Sequence, residues 1–327
     1  MRKIVLFLLI CTCLGCAVRK NELQTWLKPN GRLKVLATIG MIEDTVKQIG
    51  GDHVDTLTLV KGELDPHSYQ LVKGDDEKLA YADIIFYNGL GLEHGPSLRE
   101  SLNDNPKAYG LGDWILQNDP KSILKYNGII DPHIWMDVSL WSQTIPRIVE
   151  VLSEHDPENA DEYKERGESL YHQMVDAHFE LQHFMKMVPP EKRFLVTSHD
   201  AFNYFARAYL ATDQELEDDD WQKRFAAPEG LAPESQLSAA DIRLILNHMK
   251  EYDIRVIFPE SNVSRASIQK LKDAGNEEGL DLEIAPGPLY GDAMGPPGSS
   301  GDTYLKMLTH DVHLISKYLR LNGNDHE

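Results

Sequence analysis

No cysteine follows Cys16, and the other two, Cys11 and Cys13, lie just before it. A chain that matures at Cys16 keeps one cysteine and has no internal disulfide, so packing must hold the fold together. Lysine and arginine never cluster into a run, and 33 basic residues face 52 acidic ones for a formal charge of −19. That balance argues against DNA, RNA or another polyanion as partner; diffuse acidity by itself describes a well-solvated surface. No His-Glu-x-x-His helix of the kind used by zinc hydrolases occurs, and residues 67 to 133 hold only His94 besides the histidines at their two ends. The N-terminal apolar run, Ile4 to Leu14, has eleven residues, too few for a helix to span ~30 Å of hydrocarbon.

What is present begins with that same segment. Arg2 and Lys3 precede the apolar run, which ends at Leu14-Gly15-Cys16. A charged start, a short apolar stretch and a small residue before a cut describe a signal peptide, here residues 1–15. Leu14-Gly15-Cys16 also resembles a bacterial lipobox, with Cys13 where the pattern usually has Leu. It implies that Cys16 is lipidated and anchors the chain to a membrane. Residues 17–32, including Lys28-Pro29-Asn30-Gly31, are polar and lack periodicity; with Cys16 they read as a tether, 16–32.

The mature chain is long enough for two domains of ordinary size, and its 42% apolar and 26% charged residues suit a globular core. From Leu33 onward β-rich runs alternate with helical patterns. Strands are expected at Leu33–Ala37, Val54–Val60, Ile84–Tyr87, Phe194–Thr197, Arg255–Phe258 and Asp281–Ala285, and helices at Gly40–Ile49 and Ser238–Glu251. Such alternation predicts an α/β fold with mostly parallel sheets flanked by helices.

Between Pro157 and Met187 only Gly167 interrupts a charged, helix-forming stretch. Its apolar residues Tyr163, Leu170, Met174, Ala177, Leu181 and Phe184 fall on one helical face, and Pro189-Pro190 ends it. The expected helix is roughly 45 Å long and suits a strut between two lobes. The division is then a lobe at 33–155, a linking helix at 156–190 and a lobe at 191–327.

Three histidines stand out. Asp65-Pro66-His67 recurs as Asp131-Pro132-His133. Proline fixes its own φ and pushes the preceding residue toward extended geometry, so each histidine leaves a stiff corner in a set direction. A rigid donor loses little entropy when it binds a cation. Tyr69 and Trp135 follow the two corners and would shield a site from water. His199 comes directly after Phe194-Leu195-Val196-Thr197-Ser198, at the carboxyl end of a strand, where open α/β sheets place ligands. The fourth donor is open on spacing alone: Asp292, Asp200, His94 and Glu260 are all candidates.

Five ordered motifs carry a resemblance that spans nearly the whole mature chain. They are Asp65-Pro66-His67-Ser68-Tyr69, Asn88-Gly89-Leu90-Gly91-Leu92-Glu93, Asp131-Pro132-His133-Ile134-Trp135, Thr197-Ser198-His199-Asp200-Ala201-Phe202, and Leu289 to Gly295 followed by Gly301-Asp302-Thr303-Tyr304. Together they resemble the metal-specific (cluster A-I, or cluster 9) solute-binding lipoproteins of ABC transporters. The resemblance implies His67, His133, His199 and Asp292 as metal ligands, the third position being Glu in manganese-selective members. It further implies two lobes joined by one long rigid helix, with a divalent transition metal (zinc, manganese or iron) as transported ligand. An ABC permease is the implied partner, no organic cofactor or enzyme activity is expected, and a monomer outside the cytoplasm is. Members dedicated to zinc often carry a His-rich loop, which is missing here. Rival readings are an exported zinc hydrolase, which would need an open metal position and a base, and a surface adhesin.

Overall fold

The computed structural model describes residues 23–126, 128–228, 230 and 238–321. The signal peptide and Cys16 lie outside the described residues. The first lobe is built on four parallel strands, β1 (Leu33–Ala37), β2 (Val54–Thr58), β3 (Ile84–Tyr87) and β4 (Ala108–Gly110), in the order β2-β1-β3-β4. A small antiparallel hairpin follows, β5 (Lys125–Tyr126) with β6 (Ile129–Ile130). In the second lobe β7 (Leu195–Val196) pairs in parallel with β8 (Phe225–Ala226), and β9 (Val256–Ile257) with β10 (Glu283–Ile284). Phe258 N donates to Val196 O at 2.9 Å, which lays β9 beside β7.

The principal helices are α1 (Gly40–Gly50), α2 (Ile145–His155), α3 (Ala160–Lys186), α4 (Ala239–Glu251), α5 (Arg265–Glu277) and α6 (Tyr304–Leu321). Side chains alternate across each strand and meet a helical layer on either face. In β1, Leu36 turns with Leu57 and Ile85 toward Leu79 and Leu98, while Val35 and Ala37 turn the other way. In the second lobe Val196 and Ile257 meet Leu246, Met249, Ile268 and Leu271 from α4 and α5. The remaining faces of both sheets, carrying Val35, Phe86, Leu195 and Phe258, merge with α3 into one continuous core.

That shared core joins the two lobes. α3 backs both lobes, packing on α1 from the first and α6 from the second. It has 27 residues, so ~40 Å at 1.5 Å per residue, slightly shorter than the sequence suggested because 157–159 forms a tighter turn. Its buried face is Tyr163, Gly167, Leu170, Met174, His178, Leu181 and Met185. Ala177 and Phe184, expected on that face, are only half-buried, because Gly167, His178 and Met185 hold the centre of the stripe. Gly167 is there for space: a Cβ would come within 2.5 Å of Val149 Cγ2 on α2. Gly167→Val should therefore destabilise the fold by ~1–3 kcal/mol through overpacking, read as a lower urea midpoint, without changing metal stoichiometry.

The tether reading fails over its last part. Residues 23–26 form a helical turn, and Trp26 is buried with its indole donating to Asp55 O at 2.8 Å. Aperiodic polar sequence hid one anchoring tryptophan. Among the described residues no helix is long and apolar enough to cross a membrane.

Candidate metal centre

Both Asp-Pro-His corners fold as the sequence proposes, with the aspartate closing a turn on its own histidine. Asp65 Oδ1 accepts from His67 N at 2.8 Å, and Asp131 Oδ1 accepts from His133 N at 2.9 Å. The corners then diverge. Asp65 Oδ2 takes the Ser68 hydroxyl. Asp131 Oδ1 also lies 2.7 Å from His133 Nδ1, which keeps the proton on that nitrogen and leaves Nε2 as a free donor. His199 stands just beyond β7, and its Nδ1 lies 2.6 Å from Glu260 Oε2. The other Glu260 oxygen accepts from Ser198 N and His199 N at 3.0 and 2.9 Å.

These three histidines and Asp292 converge. One donor atom from each lies within 4.8 Å of all the others. His67 Nε2 is 3.2 Å from His133 Nε2. Asp292 Oδ1 is 3.4 Å from His133 Nε2, and Oδ2 lies 3.2 Å from His199 Nε2 and 3.7 Å from His67 Nε2. Zinc with bonds of ~2.0–2.1 Å in tetrahedral array would hold its donors ~3.3–3.4 Å apart, so the spacing already suits a small cation. Both carboxylate oxygens of Asp292 face imidazoles. All four side chains are at most 3% exposed, yet Asp292 Oδ1 and His199 Nε2 have no hydrogen-bond partner. Buried polar atoms left unmatched are costly, and a cation is the group that would satisfy this set.

Electrostatics divide the imidazoles. Burial pushes His67 down to about 4, with Asp292 opposing and the neighbouring imidazoles reinforcing the shift. Burial also works to lower His199, but the Glu260 and Asp292 charges overcome it and hold His199 well above 6.5. Asp292 itself is kept far below the usual carboxylate range; burial opposes this, and the charge of His199 outweighs it, helped by those of His67 and His133. His199 is thus the imidazole whose proton a metal has most to compete with.

The other candidates for the fourth donor are placed elsewhere. Glu260 spends both oxygens on the 198–199 segment. Asp200 shares Asn203 Nδ2 with Asp131, at 2.7 and 3.0 Å, and is raised to about 6 by burial and the Asp131 charge. His94 lies with its ring 5.8 Å from that of His67, outside the converging donors. Trp135 is fully buried and edge-on to His133 at 5.3 Å, as a shield should be, whereas Tyr69 turns its hydroxyl to Asp75. Sequence reasoning missed the supporting roles of Asp65, Asp131 and Glu260, although the repeated aspartate two residues before each histidine was a visible signal.

Comparison with known proteins points the same way. The family model described as zinc-uptake complex component A, periplasmic, matches residues 35–318. The metal-binding protein YtgA of Chlamydia pneumoniae is 38% identical over 290 residues, covering 89% of this chain and 86% of its own. The manganese-binding lipoprotein MntA of Bacillus subtilis is 32% identical over 295 residues, covering 88% and 90%. The crystal structure of Fe(III)-bound YtgA from Chlamydia trachomatis superposes with a TM-score of 0.82 at 33% identity, over 88% of this chain and 98% of that one.

Proposed function

The chain belongs to the zinc-uptake complex component A family of metal-binding transport proteins, and from that premise we propose that it captures a transition-metal cation between its lobes and delivers it to an ABC permease. The ligands in this reading are His67, His133, His199 and Asp292, with lobes at 33–155 and 191–327 and the linker at 156–190. The observation that supports it most is the set of four buried, mutually converging donors with unmatched polar atoms.

Zinc, manganese and iron remain the cargo candidates, as the names of relatives include a zinc-uptake family, a manganese-binding lipoprotein and an Fe(III)-bound structure. Three imidazoles and a carboxylate form a site of borderline softness, and by the Irving–Williams order zinc binds more tightly than manganese or ferrous iron. Affinity alone therefore does not name the metal carried in the cell. A hydrolase needs a coordination position open to water and a general base; four nearly inaccessible donors disfavour that, and the relatives named above are binding proteins. Deleting the gene in its host should abolish uptake of radiolabelled metal at limiting external concentration, and restoring it should rescue uptake. Unchanged uptake, with no compensating transporter induced, would remove the transport reading.

We also propose that the chain works outside the cytoplasm on a lipid tether at Cys16, the motive being Leu14-Gly15-Cys16 after a short apolar run. Cys16→Ser should move the protein from the membrane fraction to the soluble one. A serine variant that stays with the membrane would refute the anchor while leaving the binding site untouched.

A further inference from the structure

Asp292 follows Gly291, and that glycine is confined on two sides. On one, a Cβ added to it would meet Glu260 Oε2 at 2.5 Å and His199 Cε1 at 3.4 Å. On the other, the Trp135 indole donates to Gly291 O at 2.8 Å, a buried bond between residues 156 apart in sequence. Trp135 belongs to the turn that begins at His133. Its side chain therefore ties the segment bearing one donor of the centre to the corner bearing another.

Trp135 is itself held from the far side. Tyr304, fully buried at the start of α6, donates its hydroxyl to Trp135 O at 2.8 Å. Its backbone N–H donates to Asp44 Oδ2 on α1 at 3.1 Å. An aspartate of the first lobe thus accepts from the opening N–H of a second-lobe helix, where a carboxylate complements the exposed donors and the helix dipole. The chain of bonds Asp44–Tyr304–Trp135–Gly291 crosses between the lobes three times, and it ends one residue from Asp292.

We propose that Trp135 is a positioning residue for Asp292, acting on its loop while Asn262 Nδ2 donates to Asp292 Oδ2 itself at 3.1 Å, and that the Trp135 bond to Gly291, braced by Tyr304 and Asp44, sets how slowly a captured cation leaves. The proposal rests on the ligand reading given above. The physical ground is that Asp292 places both oxygens toward imidazoles, a pose that needs the loop held in one register. Without the indole N–H, Gly291 O becomes a buried acceptor with no donor, the loop shifts to satisfy it, and the carboxylate leaves its pose. Association depends on the cation reaching the imidazoles and should be unaffected.

The test loads the full chain with Zn(II) and follows release into excess chelator by stopped flow. Trp135→Phe should release zinc on the order of tenfold faster, the factor equivalent to ~1.4 kcal/mol, with an unchanged association rate. Tyr304→Phe, which deletes one hydroxyl and keeps the ring, should speed release in the same direction by less, with native circular dichroism as the check on its fold. Trp26→Phe, which removes a comparable indole bond to Asp55 O far from the centre, should behave as wild type. With Co(II) as probe, Trp135→Phe should also alter the ligand-field spectrum, which a change in mere global stability would not. Wild-type release rates in both Trp135→Phe and Tyr304→Phe, while Asp292→Ala has lost its zinc, would overturn the proposal alone. If Asp292→Ala keeps zinc at wild-type affinity, the ligand reading fails and this inference goes with it.

Discussion

His133→Ala should lose metal affinity by more than the 10–100-fold typical of removing an outer partner of a ligand, while the protein remains folded. His133 is fully buried, its Nε2 touches both His67 and Asp292, and its Nδ1 is locked by Asp131. No other described side chain stands ready to replace that donor. The fold does not depend on the cation, because one continuous core runs from both sheets through α3, unlike a metallo-domain that folds only when loaded. Circular dichroism should stay native, and titration against a competing chelator should show the loss. A variant that unfolds would make the centre structural; one that keeps full affinity would remove His133 from it.

Affinity should also rise with pH through neutrality, in two distinct regimes. Three isolated imidazoles would all titrate near 6.5, giving a plateau above neutrality and one steep collapse below. The structure separates them instead. His199 is held protonated well above 6.5 by Glu260 and Asp292 against the pull of burial. A metal that takes its Nε2 must expel that proton, so across neutral pH the affinity gains up to tenfold per unit. His67, pushed down to about 4 by burial, is already neutral there and adds proton competition only in acid. The sign follows in both cases: protons and metal compete for the same nitrogens, and acid favours release. Glu260→Gln removes the nearer charge that holds the His199 proton, so its slope at neutral pH should flatten. A wild-type profile flat from pH 6.5 upward would show that His199 carries no proton to displace.

Much of the fold is legible in the sequence. β1 and β3 match the sequence reading residue for residue, since a buried parallel strand declares itself as a near-continuous apolar run, broken in β1 only by Lys34. The second lobe was harder. β7 and β9 are each two residues of regular pairing, although ladder-like bonds continue beyond them, from Thr197 N to Ala226 O and from Phe258 N to Val196 O. β8 follows Gln222-Lys223-Arg224 and has no periodic signal at all. The two Asp-Pro-His corners could be read as rigid donors because proline stiffening is a local property. Asp292 could not be told from Glu260 by spacing, because the difference is one of fold. Glu260 comes three residues after β9 and is consumed by the backbone of its neighbour strand, while Asp292 comes from the next strand's loop and faces the imidazoles. The Trp135–Gly291 bond likewise joins positions that no local pattern connects.

The central claim is that one cation sits among His67, His133, His199 and Asp292. Anomalous diffraction from crystals of the protein loaded with Zn(II), measured on both sides of the zinc absorption edge, tests it most directly. The account predicts a single strong peak ~2.0–2.2 Å from the Nε2 atoms of all three histidines and from Asp292, with no water in the coordination sphere. A peak elsewhere on the chain would contradict it, as would a zinc held by fewer of these four residues with water in the vacant position.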